Sequence, residues 1–141
     1  MNTLDRIDVT QLCPKVLALF PTTQAIYLFG SHVSGSINQQ SDLDLALLLP
    51  SHRAFTSEPA RWWQLQDELM TLFNRSVDLI NLRQASTVFQ VEILRTGQRI
   101  YCMDLQLCNE YEGLILSLYQ KLNEERAEIL SSIRETGIIY G

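Results

Sequence analysis

FGSHVSGSINQQSDLDLALLLP, residues 29–50, joins a glycine- and serine-containing loop to an apolar run that stops at Pro50. Residues 43–49 have the length and aliphatic character of a buried strand. The entrance to that strand carries two carboxylates, Asp42 and Asp44. Side chains two positions apart on a strand share a face, so both carboxylates project together while Leu43 points the other way. At about 3.3 Å per residue they stand roughly 7 Å apart. Two bare charges at that separation repel by about 2 kcal/mol at an effective dielectric near 20. A hard divalent cation with a preference for carboxylate oxygens, Mg²⁺ in particular, relieves this repulsion.

Upstream, the short apolar run of residues 25–29 ends at Gly30-Ser31, and Gly35 follows four residues beyond Ser31. Glycines at a strand end let backbone N–H groups approach a phosphate closely, and Ser31 adds a hydroxyl donor. A phosphate cradle placed directly before paired carboxylates is suited to phosphoryl or nucleotidyl transfer. A third carboxylate, Asp78, interrupts the apolar strand of residues 77–82, where an unpaired buried charge is costly. If that strand lies beside the Asp44 strand, Asp78 faces the same site as general base or shared metal ligand in a two-metal scheme. Taken alone, Asp78 could instead pair with Arg75 or Arg83, and a single Gly-Ser or Asp-x-Asp is most often a turn or a solvated loop end. The spacing of all three features at strand edges is what carries the chemistry.

Working outward, residues 12–20 place Leu12, Val16, Leu17, Leu19 and Phe20 at helical spacing, with Pro14 in a first turn and Pro21 as the stop. Residues 57–73 read as a helix with Ser57 as N-cap, Glu58 and Pro59 in the first turn, and Trp62, Leu65, Leu69 and Leu72 on its inner face. Residues 86–95 form another, with Val88, Val91 and Leu94 inward and Gly97 as its C-cap. Residues 99–103 make a fourth short strand. Residues 105–133 form a long amphipathic helix with Tyr111, Leu114, Leu118, Leu122, Ile129 and Ile133 along one stripe. These elements predict an α+β fold, a small mixed sheet flanked by helices, in a single domain over residues 1–141. Its catalytic core covers about residues 23–104 and its C-terminal helix about 105–135.

Composition is consistent with that reading. With 141 residues, 46% hydrophobic and 19% charged, the chain has the make-up of one globular domain. A net charge of −5 argues against direct nucleic-acid binding, which leaves a basic footprint. Cys13, Cys102 and Cys108 fit neither a disulfide framework nor zinc spacing and are read as reduced thiols. There is no signal-peptide pattern and no apolar run long enough to span a bilayer, so a cytoplasmic protein without membrane contact is expected. Trp62 and Trp63 are adjacent and cannot both face inward on a helix, which makes Trp63 the exposed aromatic and an interface candidate.

Gly30-Ser31, ten intervening residues, Asp42-Leu43-Asp44 and a later strand aspartate, Asp78, resemble the nucleotidyltransferase fold of the DNA polymerase β superfamily. The chain length and the wording Ser41-Asp-Leu-Asp-Leu45 are similar to its smallest members, the minimal nucleotidyltransferases. The resemblance implies that Gly30, Ser31, Gly35 and Ser41 bind the nucleotide's phosphates. It also implies that Asp42, Asp44 and Asp78 are the catalytic, metal-binding set, with two Mg²⁺ ions and ATP as substrate. Many such proteins carry Ala-Arg-Gly where this chain has Val33-Ser34-Gly35, so one phosphate contact is missing, and His32 is a candidate to replace part of it. The resemblance further implies the antitoxin half of a pair with a helical HEPN ribonuclease, silenced by transfer of AMP to a tyrosine hydroxyl. Alternatives are an antitoxin that masks its partner without catalysis, and nucleotidyl transfer to a small molecule such as an antibiotic. The long terminal helix can dock a partner, and Tyr140 is a candidate self-acceptor.

Overall fold

Aliphatic residues on both faces of each central strand require cover from two sides, and the molecule supplies it with a helical layer on each face of one sheet. The structure, a computed structural model, describes residues 8–30, 42–51 and 59–136. In chain order these contain α1 (Val9–Leu19), β1 (Ala25–Phe29), β2 (Leu43–Leu48), α2 (Pro59–Phe73), β3 (Val77–Asn81), a 3₁₀ turn (Leu82–Gln84), α3 (Thr87–Thr96), β4 (Gln98–Cys102) and α4 (Leu105–Thr136). The sheet runs β3-β2-β1-β4. β1 is antiparallel to β2 and β4, whereas β2 and β3 are parallel, so the sheet is mixed and the expected α+β class holds.

Strand alternation sorts the core into two halves. Ile26, Leu28, Leu43, Leu45, Leu47 and Leu79 face α1 and α2. Ala25, Tyr27, Ala46 and Leu48 face α3 and α4, where Val91, Ile93, Cys108, Tyr111 and Ile115 close over them.

Helix ends differ from the sequence expectation in informative ways. α1 begins three residues earlier than expected because the Asp8 side chain accepts from the Thr10 N–H at 3.0 Å, which moves Pro14 from the first turn into the second. α2 buries Leu65 and Leu69, while Leu72 is 36% exposed; Phe73, one residue on, packs against the core instead, as a 3.6-residue period demands. In α3 the inward residues are Gln90, Val91 and Ile93, and Val88 is 46% exposed. Gln90 is tolerated inside because its amide donates to the Ala85 carbonyl at 2.8 Å and accepts from the Tyr111 hydroxyl at 2.5 Å. Gly97 does cap α3, but in extended backbone (φ −86°). The need for glycine there is close approach: a Cβ would stand 2.5 Å from the Ile93 carbonyl oxygen and 3.0 Å from that of Leu28.

The expected stripe of α4 is corrected most. Cys108, Tyr111 and Ile115 are its buried residues, at spacings of three and four, while Leu114, Leu118 and Ile129 are 57%, 42% and 57% exposed. The last of its side chains packed on the sheet layer is Tyr119, so the helix meets that layer with just under its first half. Arg99 of β4 ties that region down by donating to Glu112 at 2.7 Å. Among the described residues no helix is long and apolar enough to cross a membrane. Ser57, Glu58 and Tyr140 lie outside the described residues.

Candidate active site

Of the residues singled out in the sequence, the described ones, Gly30, Asp42, Asp44 and Asp78, lie at one end of the sheet. β1 ends in Phe29, which pairs with Asp44 across the antiparallel ladder. On its other side Asp44 pairs with Asp78 across the parallel ladder, so the two carboxylates stand on adjacent strands at the same level. The Leu43 N–H donates to the Ser76 carbonyl at 2.8 Å and sets this register just where the two strands begin. Leu43 and Leu45 are fully buried on the opposite face, so the register cannot slip by one without exposing them and burying the charges.

Gly30 follows β1 with φ +75°, a left-handed conformation that favours glycine. A Cβ built on Gly30 would overlap the Asp44 carboxylate. Backbone and carboxylate are therefore in direct contact, and this glycine is required twice over, by its conformation and by the space above it.

The layer of α3 and α4 covers Ala46 and Leu48 completely but leaves Asp78 exposed and Asp44 half-buried. Asp42 is exposed at the mouth. Burial pushes the Asp44 carboxyl above its usual range, and the neighbouring charges of Asp78 and then Asp42 push it further in the same direction. The three carboxylates thus share one electrostatic field. Among the described residues no three His, Cys, Asp or Glu side chains close into a finished metal cage. Mg²⁺ does not need one: it keeps several waters and takes one or two carboxylates together with substrate phosphates. An all-oxygen, all-anionic cluster that raises the pKa of its most buried member is chemically matched to such an ion.

Arg83, one of the two cations the sequence offered as partners for Asp78, is engaged elsewhere. Its guanidinium donates to the Leu49 carbonyl at 2.6 Å and to the Gln24 side chain at 2.7 Å, and lies 5.2 Å from the centre of the Tyr111 ring. Ser31, His32, Gly35 and Ser41 lie outside the described residues.

Two features escaped the sequence reading. Phe89 on α3 packs edge-on against Phe29, with ring centroids 6.0 Å apart, and forms an aromatic wall beside Asp44. A cleft of about 450 Å³ runs along the open edge of β3, lined among others by Trp62, Trp63, Ile80, Gln84 and Phe89. Ile80 is two residues beyond Asp78 on the same face of the strand. Trp63 is 69% exposed, as its position after Trp62 predicts. Aromatic residues spaced along separate helices carry no periodic signal of a shared cleft, which is why only the fold discloses it.

Residues 12–106 match the family described as Polymerase beta, Nucleotidyltransferase. Over 114 residues, 80% of this chain and 78% of the relative, the sequence is 33% identical to the protein adenylyltransferase MntA of Shewanella oneidensis. The fold is similar to that of a chain in a toxin–antitoxin complex crystallised with AMP-PNP, at a TM-score of 0.75 and 28% identity, covering 91% of this chain and 99% of that one. It is also similar to a chain in the complex of a tri-AMPylated Shewanella oneidensis HEPN toxin with its MNT antitoxin, at a TM-score of 0.68 and 27% identity, covering 89% and 95%.

Proposed function

This chain belongs to the polymerase β nucleotidyltransferase family, and on that premise we propose that it is a protein adenylyltransferase acting as an antitoxin. It transfers AMP from ATP to a tyrosine hydroxyl of a HEPN-type toxin with which it forms a complex. The observation that carries this reading is the level pairing of Asp44 and Asp78 on parallel strands, with the left-handed Gly30 against the Asp44 carboxylate.

Each residue has a role. Gly30, together with Ser31, Gly35 and Ser41, binds the triphosphate through N–H and hydroxyl donors. Asp42, Asp44 and Asp78 would hold the Mg²⁺, two ions when the site is loaded. When bound, Mg²⁺ would supply neutralisation of the phosphate charge and polarisation of the α-phosphoryl group. Asp78 accepts the phenolic proton at its carboxylate. The phenolate oxygen then bonds to the α-phosphorus as the bond to the β-phosphate oxygen breaks, releasing pyrophosphate. Phe29 and Phe89 wall one side of the site. The uncovered leucines of α4 supply apolar surface for the partner. A donor as abundant inside the cell as ATP, and a ribonuclease as target, assign the chain to the cytoplasm.

Incubation of the complex with α-labelled ATP and Mg²⁺ tests this. Label is expected on a tyrosine of the partner with wild-type protein and is lost with Asp44→Asn, whose carboxamide fills the same volume but holds Mg²⁺ poorly. Label retained at full rate by Asp44→Asn would overturn the metal assignment. A partner that stays silenced without ever being labelled would mean inhibition by masking.

A further inference from the structure

At the end of the sheet remote from the carboxylates, two thiols lie in contact. Cys102 is the last residue of β4, and Cys108 is in the first turn of α4. The Cys102 thiol donates to Cys108 Sγ at 2.9 Å. A disulfide bond is about 2.05 Å long, so closure needs an approach of less than about 1 Å. The surroundings hold both partners in place. The Gln24 carbonyl accepts from the Met103 N–H at 2.9 Å and from the Cys108 thiol at 3.5 Å, so the start of β1, the end of β4 and the start of α4 meet at one atom. Asp104 caps the helix between them, accepting from the Gln106 N–H at 3.0 Å.

The two thiols are chemically unequal. Cys102 is half-exposed and Cys108 fully buried. Burial, reinforced by its contact with Cys102, pushes the Cys108 thiol up to about 11. Among the described residues no third Cys, His, Asp or Glu completes a metal site around them. Cys13 packs against the other half of the core, on the far side of the sheet.

We propose that Cys102 and Cys108 are a redox-active dithiol that closes reversibly to an intramolecular disulfide and pins the first turn of α4 to the sheet. The oxidant is a small-molecule disulfide of the glutathione class. Cys102, as thiolate, attacks one sulfur of glutathione disulfide and expels one glutathione thiolate. Cys108 then gives up its proton, attacks Cys102 Sγ and expels the second glutathione. The chain is oxidised by two electrons and two glutathiones are formed, so the exchange balances and runs backwards in excess glutathione. Such bonds in a reducing compartment are transient and sensing rather than structural. This inference is independent of the adenylyltransferase reading.

The test is equilibration of the full chain across ratios of reduced to oxidised glutathione, followed by acid quenching, denaturing alkylation and peptide mass mapping. At the oxidised end Cys102 and Cys108 are expected to escape alkylation together, the peptide pair being lighter by two hydrogens with no glutathione attached, while Cys13 serves as the internal reference. Cys108→Ala should stop at a glutathione adduct on Cys102, and Cys102→Ala should leave Cys108 unmodified. Both residues alkylated in the wild type at every ratio, or a lasting glutathione adduct on wild-type Cys102, would overturn the proposal. Because the wild-type titration alone distinguishes these outcomes, the test holds even if a variant does not fold.

Discussion

Asp44 shows what a half-buried carboxylate beside two others does to its own fold. Its carboxyl is raised first by burial and then by Asp78 and Asp42, so in the metal-free protein the ionised form is held against its preference. A carboxyl whose folded pKa lies above the unfolded value binds its proton more tightly when folded. Its penalty is therefore absent below the unfolded pKa and fully present once pH has risen through the folded one. In EDTA at neutral pH, Asp44→Asn should raise the Tm by a few degrees, and the difference should vanish towards acid pH. A lower Tm at neutral pH, measured by calorimetry, would show that the carboxylate is satisfied without a cation. Gly30, Asp42 and Asp44 were expected as site residues from short-range patterns: alternation along a strand would put the two aspartates on one face, and a glycine ending a strand marks a turn; in the structure Asp44 lies within β2 and Asp42 just before it. That Gly30 touches Asp44 was not legible, since 13 positions separate them and only the antiparallel return of the chain brings them together.

The elements were legible in kind and less so in orientation. β1 has the residues expected of it, and the helices differ at their ends and in which side chains they bury. The reason is that a helix buries whatever stripe its neighbours cover. In α4 the covered stripe is Cys108, Tyr111 and Ile115, and the leucines three or four positions apart on another face are left outside. The start of α4 depends on its cap, because Asp104 Oδ1 accepts from Gln106 N–H at 3.0 Å and reaches Leu107 N–H at 3.4 Å. Asp104→Ala should lower stability by about 1 kcal/mol, within the usual range for a lost N-cap. Urea titration should show the midpoint falling with the slope unchanged; an unmoved midpoint would mean that the Arg99–Glu112 pair and core packing alone hold this end.

At the scale of the whole molecule, the mixed sheet and its two helical layers leave a corner uncovered, and the carboxylates occupy it. The same arrangement leaves apolar side chains of α4 outside the core, with Leu118 in its first half and Ile129 towards its end 42% and 57% exposed. If the partner covers that surface, Leu118→Glu should weaken the complex at least tenfold, about 1.4 kcal/mol. Its own Tm should barely move, because exposed substitutions shift stability by roughly 0.5 kcal/mol or less. Titration calorimetry against the partner checks this, and unchanged affinity would place the interface elsewhere. By itself the sequence determined the strands and the α+β class and pointed to the carboxylates and glycine of the candidate site, since these follow from periodicity, turn chemistry and charge within a few residues. Only the tertiary structure decided that β2 and β3 run parallel in the register that levels Asp44 with Asp78. It alone decided that Phe89 closes on Phe29, that a cleft opens beside them, and that Cys102 meets Cys108. Those are pairings between segments, set by how two faces of one sheet divide a single supply of apolar cover, and no local pattern encodes that division.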